Sequence, residues 1–260
     1  MHVLLLRVGP LEHWQPLAHF AEALAAHTPT AAGLIAESLD TTAALGTVIL
    51  PGEAAGGMLT AAARDVLEAS RRASEPAWLD EPGRYKLFLL PLALPPRVLL
   101  LGAGPDTPPV ARMAAELYWK VTVVDHRSAL LLPERFPAVE RLVHTRPEKL
   151  LDCVQIMGFN AAVVMTHQLE MDRDYLRVLA RSALPYVGLL GPPARAERLL
   201  GELGADADAL RERLHAPVGL NLGGRSPAAI AVSIVAQILA FLHGRLGGCA
   251  PAGQSRSDVR

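Results

Sequence analysis

Between Val98 and Arg127 the chain reads VLLLGAGPDTPPVARMAAELYWKVTVVDHR. Gly102 and Gly104 have the spacing of the first two glycines of a G-x-G-x-x-G turn. The first glycine permits a tight turn, and the second lets a phosphate come close to the main chain. The helix that follows adds unpaired N–H groups and the positive end of its dipole. Asp125 stands about twenty residues on, where an acid binds ribose hydroxyls in dinucleotide-binding domains. The chemistry implied is capture of an anionic small molecule. The third glycine is replaced by Thr107, whose β-carbon crowds close helix–strand packing. Thr107 followed by Pro108 predicts a late helix start, with Thr as cap and Pro in the first helical position. Pro105 removes one N–H from the cradle. Arg127 offers a phosphate partner in place of a ribose partner.

Other residues able to do chemistry follow later strands. THQLEMD places Thr166, His167, Glu170 and Asp172 at a strand exit. His167 is either an acid–base group or ligand donor, or a loop histidine with a satisfied hydrogen bond. Asp172 reads as a helix cap. YVGLLGPPAR puts a turn at Gly191 and Arg195 in the first turn of a helix, where it either pairs with a phosphate or is a solvated charge. Gly188 inside that strand implies close backbone approach. Gly219, Gly223 and Gly224 precede a helix capped by Ser226, which makes either a second phosphate- or pterin-facing loop or a turn feeding a buried helix. No G-x-S-x-G nucleophile elbow occurs. The two cysteines, Cys153 and Cys249, form neither a disulfide framework nor a zinc site, and Cys153 reads as a small buried hydrophobe.

The elements that must position these residues fall on either side of a seam, PLALPPRV, whose prolines stop any helix. After it the pattern alternates. Strands are expected at Val98–Leu101, Val121–Val124, Ala161–Met165 and Tyr186–Leu190. Helices are expected at Val110–Tyr118, Pro147–Met157, Asp172–Ala183, Ala194–Leu203 and Pro227–His243. Continuous apolar strands alternating with helices imply a parallel sheet covered on both faces. Before the seam, Val3–Val8, Gly33–Ala36, Thr47–Leu50 and Tyr85–Leu90 read as strands, and Trp14–Ala26 and Leu59–Ala73 as helices. The fold class is α/β: a doubly wound parallel-sheet Rossmann-like domain over 95–246, preceded by a smaller α/β domain over 1–94. The small polar tail 247–260 reads as disordered.

Bulk properties narrow the function. With 260 residues, 51% of them hydrophobic, the chain can build a substantial core. A net charge of -1 without a basic stripe argues against nucleic acid and against an anionic membrane surface. The longest apolar run, Ala228–Leu242, falls short of the roughly 20 residues of a membrane span. Two unpaired thiols and no signal-peptide pattern point to the cytoplasm.

Four ordered segments, LLLGAGPDTPPVARMAAELYWKVTVVDHR, VVMTHQLEMDRDYLRVL, YVGLLGPPARAERLL and HAPVGLNLGGRSPAAIAVSIVAQILA, resemble the xanthine dehydrogenase accessory protein family (XdhC/CoxI). The resemblance implies a Rossmann-like C-terminal domain that binds the molybdenum cofactor. It also implies that the cofactor is sulfurated with a cysteine desulfurase and delivered to a molybdenum hydroxylase apoenzyme, with the chain acting as a homodimer and an accessory protein rather than a catalyst. On that reading Gly102, Gly104 and Thr107 form the phosphate turn. Asp125 and Arg127 meet the polar end, Thr166 and His167 line the crevice, and Gly191, Arg195 and Asn221 lie opposite.

The chain departs from the pattern in several places. The family's G-G-C-x-E segment appears as GGMLT, with Met58 for the cysteine and Thr60 for the acid. Asn221, Ala229 and Gln237 stand for three acids, and Tyr118 for a usual glycine. Two alternatives remain open: an NAD(P)-dependent oxidoreductase with His167 as acid–base group, and a degenerate paralogue acting as an interaction partner.

Overall fold

The computed structural model describes residues 5–52, 58–73 and 75–246. The chain forms two compact units, residues 1–94 and 95–260. The expected tail at 247–260 lies outside the described residues.

The first unit contains α1 (Leu17–Ala26), β1 (Ala31–Ser38), β2 (Val48–Ile49), α2 (Ala61–Ser70), β3 (Ala77–Glu81) and β4 (Tyr85–Pro91). Its sheet is antiparallel throughout, in the order β2-β1-β4-β3. Ile35, Leu87 and Leu89 from the sheet pack with Ala63 and Leu67 of α2. The helix begins where Thr60 accepts a hydrogen bond from the Ala63 N–H at 3.1 Å. The Thr60 hydroxyl in turn donates to Glu81 at 2.9 Å. Met58 packs on the edge of this core, and its carbonyl accepts from Arg84 at 3.3 Å. It therefore serves as an apolar packing group where the resembled pattern has a thiol. The expected strand at Val3–Val8 is not formed over residues 5–8, and residues 3 and 4 lie outside the described residues. The edge strand β3 went unforeseen, because only one face of an edge strand is held against a core and Trp78 on it is exposed.

The second unit contains β5 (Arg97–Leu101), α3 (Thr107–Glu116), β6 (Lys120–Asp125), β7 (Arg141–His144), α4 (Leu150–Cys153), β8 (Ala161–Val164), α5 (Leu169–Ala180), β9 (Val187–Leu189), α6 (Pro193–Leu203), β10 (Leu214–His215) and α7 (Pro227–Leu242). All six strands run parallel in the order β10-β9-β8-β5-β6-β7. This is the doubly wound dinucleotide-fold order, and its direction reverses between β5 and β8. Successive residues alternate between two cores. Leu99, Leu101, Val124, Ala162, Val164 and Leu189 pack with Tyr175, Leu179 and Leu199 of α5 and α6. Val98, Leu100, Val121, Val123 and Val163 pack with Val110 and Ala114 of α3 and Ile234 and Ile238 of α7.

Several local readings change. The expected helix at Pro147–Met157 is broken into a 3-10 turn at Pro147–Lys149, the single turn α4 and another 3-10 turn at Ile156–Gly158. Cys153 is exposed rather than buried. A β-carbon on Gly188 would stand 2.5 Å from a Val218 methyl, so that glycine does mark a close approach. Tyr118 has φ +59, a left-handed conformation that costs any residue with a β-carbon and that glycine adopts freely. Gln237 is a clamp. Its carbonyl oxygen accepts from the Tyr186 hydroxyl at 2.6 Å and from the Gly219 N–H at 2.8 Å, tying β9 and the loop after β10 to α7.

Candidate functional site

The carboxyl ends of β9, β8, β5 and β6 bring the sequence-expected residues to one edge. Three strand spacings separate β9 from β6, a span of about 14 Å. The edge reads, in sheet order, Gly191 and Arg195 after β9, Thr166 and His167 after β8, the glycine turn after β5, and Asp125 and Arg127 at the end of β6. The reversal point falls between the glycine turn and His167, where ligands of open α/β sheets bind.

The glycine turn is shaped by its own neighbours. Gly102 has φ +122, and a β-carbon there would lie 2.5 Å from the Met165 carbonyl oxygen. Its N–H donates to the Val124 carbonyl at 2.7 Å. The Ala103 N–H donates to Asp125 at 2.6 Å, and the Thr107 N–H to the Gly104 carbonyl at 3.2 Å. Positions 105, 108 and 109 are prolines. Among the described residues, only the main-chain N–H groups of Gly104 and Asp106 carry no partner in this turn. Thr107 is not the cap. It is the first helical residue, fully buried, and its hydroxyl donates to the Gly102 carbonyl at 2.8 Å. Gly102 and Thr107 thus build the turn and do not present groups to a ligand.

Asp125 is completely buried and accepts four hydrogen bonds: from the Ala103 N–H, from the Arg127 N–H at 2.8 Å, and from Arg127 Nε at 2.9 Å and Nη2 at 2.8 Å. Burial pushes its carboxyl up. The guanidinium of Arg127 and the two N–H donors outweigh that and hold it below the usual carboxylate range. The expected ribose or ligand contact from Asp125 is therefore replaced by an internal role: it anchors the turn and aims Arg127. Arg127 is one-third exposed, and its Nη1 carries no bond among the described residues.

A second anchor stands on the other side. Asp172 is fully buried inside α5, whose cap position is Gln168, so it does not cap that helix. It accepts from the Thr166 N–H at 3.1 Å and from the Thr166 hydroxyl. It also receives Arg195 Nη2 at 2.6 Å and Nε at 3.2 Å. Thr166 is 1% exposed and serves this anchor rather than lining a crevice. Arg195 folds back over Gly191: a β-carbon on Gly191, at φ +141, would stand 2.6 Å from Arg195 Cδ. Arg195 is thus a held charge, about one-fifth exposed, with Nη1 free of bonds to described residues.

His167 adopts φ +63 and sets Nε2 3.1 Å from the Asp106 carboxylate. Its ring lies over Gly104, where a β-carbon would stand 3.1 Å from Cδ2. Sequence reasoning passed over Asp106 and Arg135. Arg135 reaches from the β6–β7 connection to the Gly104 carbonyl at 3.4 Å. The only signal for Asp106 was its place inside the turn; Arg135 had none. Asn221 lies in an exposed loop, and the structure ties it to none of these groups. Among the described residues no cluster of three or more His, Cys, Asp or Glu is placed to hold a metal ion. No helix among them is long and apolar enough to cross a membrane.

The profile of the XdhC Rossmann domain matches residues 98–238, more than half of the chain. The chain belongs to the XdhC family. A relative from Bacillus subtilis (strain 168), described as a probable subunit of xanthine dehydrogenase, is 37% identical over 59% of this chain and 45% of its own length. The uncharacterised protein YqeB of Escherichia coli (strain K12) is 30% identical over 69% of this chain and 33% of its own. The chain therefore spans less than half the length of either. A crystal structure described as a xanthine dehydrogenase from Bacillus halodurans superposes with TM-score 0.67 at 24% identity, over 90% of this chain and 68% of that one, which shows the shared fold.

Proposed function

We propose that this XdhC-family chain is an accessory protein that acts in the maturation of a xanthine dehydrogenase-type molybdenum hydroxylase, by holding the molybdenum cofactor at the carboxyl edge of its parallel sheet. The observation that carries the reading is the pair of preset guanidiniums, Arg127 and Arg195, each fixed by a buried aspartate on opposite sides of the switch point. A guanidinium held in this way loses little freedom on meeting a phosphate, and its planar fork suits phosphate oxygens. The cofactor is a phosphorylated pterin that supplies the molybdenum centre to the recipient enzyme. The planar fork of either arginine suits its phosphate. The glycine turn offers it less, with two free N–H groups, on Gly104 and Asp106, and the Asp106 carboxylate in the same turn. No covalent step falls to this chain. Position 58 offers a thioether, which forms no thiolate, so sulfuration is assigned to a partner cysteine desulfurase.

The test is direct. Protein made in a molybdate-replete host retains pterin by mass spectrometry and molybdenum by elemental analysis. The double variant Arg127→Gln, Arg195→Gln retains about tenfold less of both, the loss expected when charge-assisted hydrogen bonds to phosphate are removed. Wild-type protein free of pterin and molybdenum refutes the reading.

A further inference from the structure

We infer that Asp106 and His167 set the ligand specificity of the switch-point crevice by refusing a diphosphate, so that a turn of dinucleotide type is closed to dinucleotides. The inference rests on the preceding reading that this edge takes an anionic small molecule, and names what it rejects. Diphosphate recognition by such a turn depends on several converging main-chain N–H groups and on the room cleared by the second glycine. Here Gly102, Ala103 and Thr107 spend their N–H groups inside the fold, and three prolines supply none. The two N–H groups that remain are those of Gly104 and Asp106, in the turn that also carries the Asp106 carboxylate.

That carboxylate is unusual in its placement. Asp106 occupies the cap position of α3, yet its side chain makes no capping bond. It turns instead to His167 Nε2 at 3.1 Å, and only 14% of it is exposed. A diphosphate brought to the turn would meet a negative charge that water screens poorly. The room above Gly104 is filled by the His167 ring, held there by a left-handed backbone that few residues with a β-carbon adopt. Arg135 is already bonded to carbonyls, those of Leu130 and Gly104. The charge of Arg135 offsets part of that of Asp106, so the turn refuses a diphosphate chiefly on space and on its shortage of free N–H donors, while the arginines flanking it remain open to a single phosphate.

The experiment titrates ADP, inorganic pyrophosphate and inorganic phosphate calorimetrically into the full chain and into Asp106→Asn, His167→Gly and the double variant. Asparagine keeps the shape of a side chain that caps nothing, and glycine suits φ +63, so both replacements preserve the fold. Wild type binds ADP and pyrophosphate no more tightly than inorganic phosphate, which the flanking arginines can take, and the double variant binds pyrophosphate at least about tenfold more tightly. Micromolar binding of ADP by wild type, or a double variant no tighter than wild type, overturns the inference. Retained pterin and molybdenum are measured in the same wild-type preparation. Their absence counts against the cofactor reading and leaves the ADP comparison to be decided by its own result.

Discussion

Two buried aspartates do the same work on opposite sides of the switch point, and they are built differently. Asp125 ends β6 and holds an arginine two residues away, so one short piece of chain sets both partners. Asp172 lies inside α5 and holds Arg195 from α6, with Thr166 from the end of β8 as a third member. The first device is local. The second exists only once two helices and a strand have packed. Both leave a guanidinium part-exposed at the edge. One functional surface is thus fixed on one side by chain geometry and on the other by tertiary packing, so damage should spread differently from each.

Removing the carboxylates should do the most harm. Asp172→Ala strands the buried Thr166 N–H and most of a guanidinium, while the Thr166 hydroxyl keeps the Gln168 carbonyl as acceptor, and should destabilise the second unit by about 3–5 kcal/mol. Asp125→Ala should cost roughly 1 kcal/mol less, because Arg127 is the more exposed arginine and can turn to water. Urea denaturation of the two variants measures the gap. Equal costs would show that the local and the tertiary device are energetically one thing.

Gly191→Ala should come next, at about 1–3 kcal/mol, from a side chain forced into a glycine conformation. Its β-carbon displaces Arg195 Cδ and pulls the guanidinium from Asp172, leaving the Asp125 side untouched. The expected signature is lost ligand retention matching Arg195→Gln, with stability reduced only on the Asp172 side. Retention at the wild-type level would mean that Arg195 does not need its anchor to bind.

The sequence made the Asp125 side readable and hid the other. Strand, glycine turn, helix, strand and acid are a continuous run, so β5, α3 and β6 could be placed within a few residues. The apolar strands β8 and β9 were readable because both faces are covered. β7 and β10 were missed: RLVH and LH are too short and too polar to show a pattern at a sheet edge. Asp172 looked like a helix cap because spacing alone cannot show that α5 begins three residues earlier and turns this side chain inward. Its tie to Arg195 crosses 23 residues, and no local rule links them. Thr107 misled for a related reason: a threonine before a proline signals a cap, but here the turn itself demands the hydroxyl. Asp106 and His167 meet only because β5 and β8 are neighbours.

Acid should separate the two wild-type contributions by a smaller margin. Asp125 has a folded pKa below its unfolded value of about 3.9, so its stabilisation is complete above that pH and is lost as pH falls through the lowered value. Asp40 in the first unit behaves alike. Hydrogen bonds from Thr42, with help from Arg84, hold it at about 2, so wild type and variants share that loss. The stability gap between wild type and Asp125→Asn should therefore be widest near pH 5 and should narrow toward pH 3. A gap constant with pH, read from urea midpoints, would mean that the carboxylate of Asp125 is held by shape and not by charge.

Weakest of all should be the coupling between the two devices. The first device stands on β6 and the second follows β8 and β9, two to three strand spacings or about 10–14 Å away. Among the described residues they share no hydrogen-bond partner, so Arg127→Gln and Arg195→Gln should add in stability to within about 0.5 kcal/mol. Ligand retention should not add in the same way if one anionic molecule bridges both. Each single variant would then lose most of the bound cofactor, and the double variant little more. Retention losses that multiply cleanly, alongside additive stability, would show two independent anion contacts, and the two sides of the edge would then be separate sites on one scaffold.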